Sequence, residues 1–205
     1  MISLKQLKSF LSEEEAAKKG LHVFDVDGVV FHPNAHVHVN DENGNRVESL
    51  NHHEFNTHKL KPGHSYDFSE FRHAETFDKG SPIHRIVHKI RKIQGNGGHV
   101  VFNTARADFD NKDKVIKKFE KHGIDMSKSH LYRAGNEDPK QSTAEKKNIV
   151  LRRILNKGQH SHVHFHDDDI ANLKAFNRMS KEYPNIKFHA WHVHPDGSIK
   201  KFKDE

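Results

Sequence analysis

FDVDGVVF, residues 24–31, sets two carboxylates one residue apart in an otherwise apolar run and follows them with glycine. With the residues before it, the run reads as a buried strand, LHVFDVD, where ionised Asp25 and Asp27 are costly unless something pairs with them. Asp-Gly after a strand is also an ordinary turn. The rest of the chain has to decide between a turn and a site.

Downstream, Ser81 and Pro82 open a predicted helix with Ile83, Ile86, Val87, Ile90 and Ile93 along one face, closed by GNGG at 95–98. HVVFNT at 99–104 reads as the next strand. A helix near 111–122, a strand at 129–134, a helix at 143–157, a strand at 162–166, a helix at 169–180 and a strand at 186–194 follow. Upstream, Ser3 caps a predicted helix carrying Leu4, Leu7, Phe10 and Leu11 and stopped by Gly20. This alternation predicts an α/β fold: a doubly wound, Rossmann-like three-layer sandwich with a mainly parallel sheet and ligands beyond the carboxyl ends of its strands.

Residues 31–80 break the rhythm. Val37 and Val39, the turn-rich DENGN at 41–45, and Val47 and Leu50 predict a β-hairpin, followed by Phe55, Tyr66, Phe68, Phe71 and Phe77. The expectation is an insertion, a small cap or flap over the active edge, within one domain spanning 1–205. Its aromatics could stack on a nucleobase, but a small core of the insertion's own is the better use for most of them.

With 205 residues, 33% hydrophobic and 30% charged, the chain is polar but blocked into periodic segments that should fold. It has no cysteine, which excludes disulfides, thiolate metal sites and cysteine nucleophiles. No apolar run nears the roughly 20 residues that span a bilayer. Glu13, Glu14 and Glu15 are unlike a signal or transit peptide, so a cytoplasmic location without membrane attachment is the expectation. The net charge of +6, before any of the 21 histidines is protonated, favours anionic partners, although a basic surface kept for solubility explains charge alone better than nucleic-acid binding does.

The other strand ends tip the balance. Strand 99–104 runs into Asn103, Thr104, Ala105 and Arg106; strand 162–166 runs into Asp167, Asp168 and Asp169; and the helix between them begins with Lys146 and Lys147. Each has a plain structural use, such as Asp169 as a helix N-cap with Asp167 and Asp168 favouring the helix dipole. Together, in one order and all at carboxyl ends, they form a constellation of carboxylates, a hydroxyl and an ammonium.

In these residues the chain resembles the haloacid dehalogenase-like (HAD) phosphohydrolases, whose signature is a strand ending in Asp-x-Asp-Gly, here FDVDGVV. The later motifs have counterparts in VVFNTAR, TAEKKNIVLRRIL and FHDDDIANL, in the family's order, so that the resemblance covers residues 21–30 and 81 to about 180. It implies a phosphatase in which Asp25 attacks phosphorus and Asp27 moves the leaving-group proton. Thr104 and Lys147 steady the phosphoryl group, and Asn103 and Arg106 contact the substrate. It also implies Mg²⁺ held by Asp25, the backbone carbonyl of Asp27 and Asp168, with Asp167 in support; Lys146 is the alternative to Lys147. The expected substrate is a phosphorylated small molecule, such as a nucleotide, or a nucleic-acid end.

Two other classes compete. His-x-His at 36 and 38, at 162, 164 and 166, and at 192 and 194 puts imidazoles on one face of a strand, as in transition-metal proteins and metallohydrolases. The basic balance and the aromatics of the insertion suit a non-catalytic nucleic-acid-binding protein, although no known binding motif is present.

Overall fold

A computed structural model describes residues 20–157 and 160–203, apart from the side chains of His53 and Asn56. The helix expected from Ser3 lies outside the described residues.

The first strand, β1 (Gly20–Phe24), is buried throughout. The chain then leaves the central sheet for β2 (Phe31–His32), β3 (Val37–Asn40), β4 (Arg46–Leu50), α1 (His52–Thr57), β5 (Ser65–Asp67), α2 (Ala74–Lys79) and β6 (Ser81–Pro82). It returns through α3 (His84–Gly95), β7 (His99–Thr104), α4 (Lys112–Lys121), β8 (His130–Arg133), α5 (Thr143–Leu155), β9 (His162–Asp167), α6 (Ile170–Met179), β10 (Lys187–Val193) and β11 (Ile199–Lys201). The central sheet is six-stranded in the order β11-β10-β9-β1-β7-β8, parallel except for the antiparallel β10–β11 pair. The chain lays β7 and β8 on one side of β1, then crosses to lay β9 and β10 on the other. That change of direction opens a crevice at the carboxyl ends beside β1.

Alternation along the strands sorts the core into two clusters. Phe24, Val100 and Phe102 pack against Ile86, Val87 and Ile90 of α3 and Val115 and Phe119 of α4. Leu21, Val23, Val101, Val163 and Phe165 pack against Val150, Leu151 and Ile154 of α5 and Leu173 and Phe176 of α6. Burying each such side chain contributes about 1.5–3 kcal/mol, so these two faces fix where the strand ends point.

The structure differs from the sequence reading in several places. β1 stops at Phe24, because residues 25–31 fold into a tight loop in which the amides of Val30 and Phe31 both donate to Val26 O and Gly28 N donates to Phe31 O. Ser81 and Pro82 do not begin a helix. They pair with His32 and Phe31, and Ile83 N donates to Val30 O, so the return of the excursion is tied to its start; Pro82, lacking an N–H, is tolerated in so short an edge pair. The helix predicted for 143–157 ends at Leu155. β11, antiparallel to β10 after a turn at Gly197, was too short to announce itself by alternation.

The hairpin predicted around DENGN is present as β3 and β4, its turn held by Asp41 Oδ1, which accepts from Asn43 N and Asn45 N. β5 adds a third strand, giving the order β4-β3-β5, and Val37, Val39 and Leu50 pack with Phe55, Tyr66 and Phe71 into a separate small core. Among the described residues no helix is long and apolar enough to cross a membrane.

Candidate active site

The carboxyl ends of β1, β7 and β9 open into a cleft of about 500 Å³, lined by Asp25, Asp27, Arg106, Lys147 and Asp168 on the sheet side and by His52, Phe55, Phe68, Phe71 and Arg72 on the other. β1 delivers Asp25 and Asp27 directly, and Asp25 N donates to His166 O at 2.9 Å, which continues the sheet pairing past the strand's end.

Lys147 comes from the start of α5, which is held by a capping box between Ser142 and Glu145. The residue is 1% exposed, and its ammonium lies 2.7 Å from Asp167 Oδ2 and 3.0 Å from Asp25 Oδ1. Burial alone would lower its pKa; Asp167 and Asp25 more than reverse this and hold it above the ordinary lysine value. Lys146 is half-buried at the cleft wall and makes neither contact, so the geometry separates the two lysines.

The acids divide in the same way. Asp167 is fully buried, its Oδ2 accepting from Lys147 Nζ and its Oδ1 from Asn172 Nδ2 at 2.9 Å and Asp169 N at 3.0 Å. With both oxygens engaged, it orients Lys147. Asp168 opens to the cleft and accepts from His52 Nε2 at 2.8 Å. That bond raises the His52 pKa against the opposing effect of burial. Asp169 caps α6, accepting from Ala171 N.

Asp27 is gripped by Arg106 in a fork, Nε to Oδ2 at 2.8 Å and Nη2 to Oδ1 at 2.7 Å, while Nη1 donates to Phe71 O at 2.8 Å. The guanidinium also lies over the rings of Phe71 and Phe77. Arg106, expected to touch substrate, is thus committed to Asp27 and to the excursion. Thr104 Oγ1 accepts from Arg106 N at 3.1 Å; the residue is buried and is not among those that line the cleft. Asn103 lies behind the cleft wall rather than in it: it is fully buried and donates to Lys147 O at 3.0 Å.

The loop that carries the acids requires Gly28. Its φ of +75° is left-handed, and a Cβ there would fall 2.5 Å from Asp168 Oδ2 and 2.7 Å from His52 Nε2. Burial, opposed by Lys147, drives the Asp25 pKa well above the usual carboxylate range, with Asp167, Asp168 and Asp27 adding to the rise. Asp25 Oδ1 has no hydrogen-bond partner among the described residues; its contact with Lys147 is an ion pair outside hydrogen-bonding direction. Asp25, Asp167 and Asp168 offer oxygens within 4.8 Å of one another. Such a cluster of carboxylate oxygens is the donor set that a divalent, oxygen-preferring cation takes.

Sequence reasoning missed His52 and Asn172, whereas three of the insertion's aromatics, Phe55, Phe68 and Phe71, do line the cleft. Asn172 sits three residues after Asp169, so a helix start predicted at 169 would have put it one turn into α6, beside the acids. His52 is 116 residues from Asp168 and no local pattern points to it. No family model, curated protein or solved structure matches the chain.

Proposed function

We propose that this protein is a Mg²⁺-dependent phosphohydrolase of the HAD-like kind, hydrolysing a phosphomonoester through an aspartyl-phosphate. The observation that carries this reading is the convergence of Asp25, Asp27, Lys147 and Asp168, from three separate stretches of sequence, on one cleft at the carboxyl end of the sheet. The fold is accordingly read as a three-layer sandwich, with residues 31–80 serving as a cap over the cleft.

Phosphoryl transfer needs an in-line nucleophile, neutralised equatorial oxygens and a proton for the leaving group. Asp25 is the nucleophile, oriented by its backbone bond to His166 O and partly neutralised by Lys147. Asp27 gives the leaving oxygen its proton and later takes one from the attacking water. Arg106 takes one acceptor site on each Asp27 oxygen and sets the angle of the carboxyl, leaving the second lone pair of each oxygen for the transferred proton. Lys147 stabilises charge developing on the phosphoryl oxygens. Asp25, Asp168 and the Asp27 carbonyl would hold Mg²⁺, which when bound would offset the charge of its carboxylate ligands and polarise the phosphate.

A phosphate seated at Asp25 has Phe55, Phe68 and Phe71 across the cleft, with Arg72 and Lys146 at its walls. An apolar or aromatic group attached to the phosphate, such as a nucleobase, suits that wall, as does the end of a nucleic acid. The test is phosphate release from an aryl phosphate, a panel of nucleoside monophosphates and phosphate-ended oligonucleotides. Activity is expected with Mg²⁺ and lost with EDTA or in Asp25→Asn; release unaffected by either would refute the proposal.

A further inference from the structure

Histidines that look scattered along the sequence collect on one face of the central sheet. β9 turns Val163 and Phe165 toward α5 and α6, so His162, His164 and His166 face the opposite way. The strand register sets His22 of β1 and His189 of β10 on either side of His164, and Trp191 beside His166. His22 and His166 are buried; His162, His164, His189 and Trp191 are open to solvent in part.

Within this group His162 and His189 stand out. Their rings are within 5° of coplanar with centroids 5.6 Å apart, and His162 Nδ1 and His189 Nε2 face each other at 3.3 Å. That is the spacing of two corners of a tetrahedron whose centre lies about 2.0–2.1 Å from each nitrogen, the ordinary zinc–imidazole distance. His164 stacks on His189 with centroids 4.6 Å apart, and one nitrogen from each of the three rings lies within 4.8 Å of the other two.

We propose that His162, His164 and His189 form a binding site for a borderline transition-metal ion such as Zn²⁺, Ni²⁺ or Cu²⁺. Imidazole nitrogens suit these metals and not Mg²⁺, so this site and the acidic cleft are chemically separate. They are separate in space as well: His164, the proposed ligand nearest in sequence, stands four residues before Asp168, on the order of 13 Å at about 3.3 Å per residue. Without metal, one imidazole of the His162–His189 pair donates to the other. Metal replaces that proton, and the two rings tilt so that their lone pairs converge, a movement their partial exposure permits. Lys89, Lys187 and Lys201 are the cations facing His164 and His189; with no carboxylate in the set, they hold the affinity below that of structural zinc sites.

Trp191 is the built-in reporter. It is the chain's one tryptophan; its ring is stacked against His164, and its indole N–H donates to His164 Nδ1 at 3.3 Å, a long bond that metal binding would disturb. The test titrates the full-length, metal-free protein at pH 7.5 with ZnCl₂ by calorimetry and with NiCl₂ or CuCl₂ by Trp191 fluorescence. We expect a one-to-one site, quenching of Trp191 that saturates with it, and no competition from excess Mg²⁺. His162→Gln and His189→Gln should each weaken binding by about tenfold or more, about 1.4 kcal/mol, while His194→Gln retains it. Unchanged binding in both variants would overturn the assignment. So would metal binding to the wild type that leaves Trp191 emission untouched, a result that stands even if a variant fails to fold. The proposal is independent of the phosphohydrolase reading, since it is read without substrate or Mg²⁺.

Discussion

Replacing Arg106 with methionine tests how the site is held together. The Arg106 side chain is 1% exposed and that of Asp27 12%, so the fork between them is little screened by water. Methionine keeps most of the volume and the contact with Phe71 and Phe77, but removes both hydrogen bonds to Asp27 and the donor to Phe71 O. Breaking one side of a buried pair costs about 3–5 kcal/mol, because the remaining charge is left uncompensated. In urea, with a slope of about 2 kcal/mol/M, this lowers the unfolding midpoint by roughly 2 M at unchanged slope. The control is Asp27→Asn, which removes the charge that Arg106 pairs. In that background Arg106→Met should cost at least about 2 kcal/mol less, and that difference is the coupling energy of the double-mutant cycle. A loss below about 1 kcal/mol for the single variant, or a coupling indistinguishable from zero, would refute the claim that this pair anchors Asp27.

Gly28→Ala should cost at least about 1–2 kcal/mol from its left-handed backbone alone, and should depress Mg²⁺-dependent activity further by displacing Asp168 and His52; denaturation and a Mg²⁺ titration of phosphate release measure the two parts. Lys118, whose ammonium donates to the carbonyls of Phe77, Asp78 and Gly80, closes the end of α2, so Lys118→Met should lower stability by about 2 kcal/mol or more in urea melts. Glu70 accepts from His36 N and from His38 Nε2, and against a burial penalty that pushes its pKa up, these bonds hold it below the ordinary glutamate value. Its stabilising contribution is therefore present above about pH 4.5 and is lost as pH falls through the lowered folded-state value, so thermal melts from pH 7 to 3 should show a shallower acid decline for Glu70→Gln than for wild type.

Much of the core was legible because its elements are long and periodic. Ile86, Val87 and Ile90 mark one face of α3 as plainly as HVVFNT marks β7, and the strand ends carry their acids in the chain itself. Alternating strands and helices then imply which ends meet, so the order of elements alone brings Asp25, Lys147 and Asp168 to one edge. What the chain hides is whatever depends on a single long-range contact. The fork from Arg106 to Asp27 spans 79 residues and the His52–Asp168 bond 116, and neither leaves a local pattern. Burial is equally silent: Asp167 and Asp168 are adjacent and chemically equal, and only the packing of Lys147 and Asn172 against the first distinguishes them. The histidines show the same limit, since an apparently diffuse composition becomes one ladder only when strand register sets β1, β9 and β10 side by side.

The measurement that tests the central claim most directly is mass spectrometry of the protein quenched in acid during turnover of an aryl phosphate with Mg²⁺. The account predicts a phosphoryl group on the peptide containing Asp25, absent from Asp25→Asn and accumulating in Asp27→Asn, where the water that clears it lacks its base. Phosphate release by the wild type with no adduct on that peptide in either the wild type or Asp27→Asn would contradict it and remove Asp25 from the role of nucleophile.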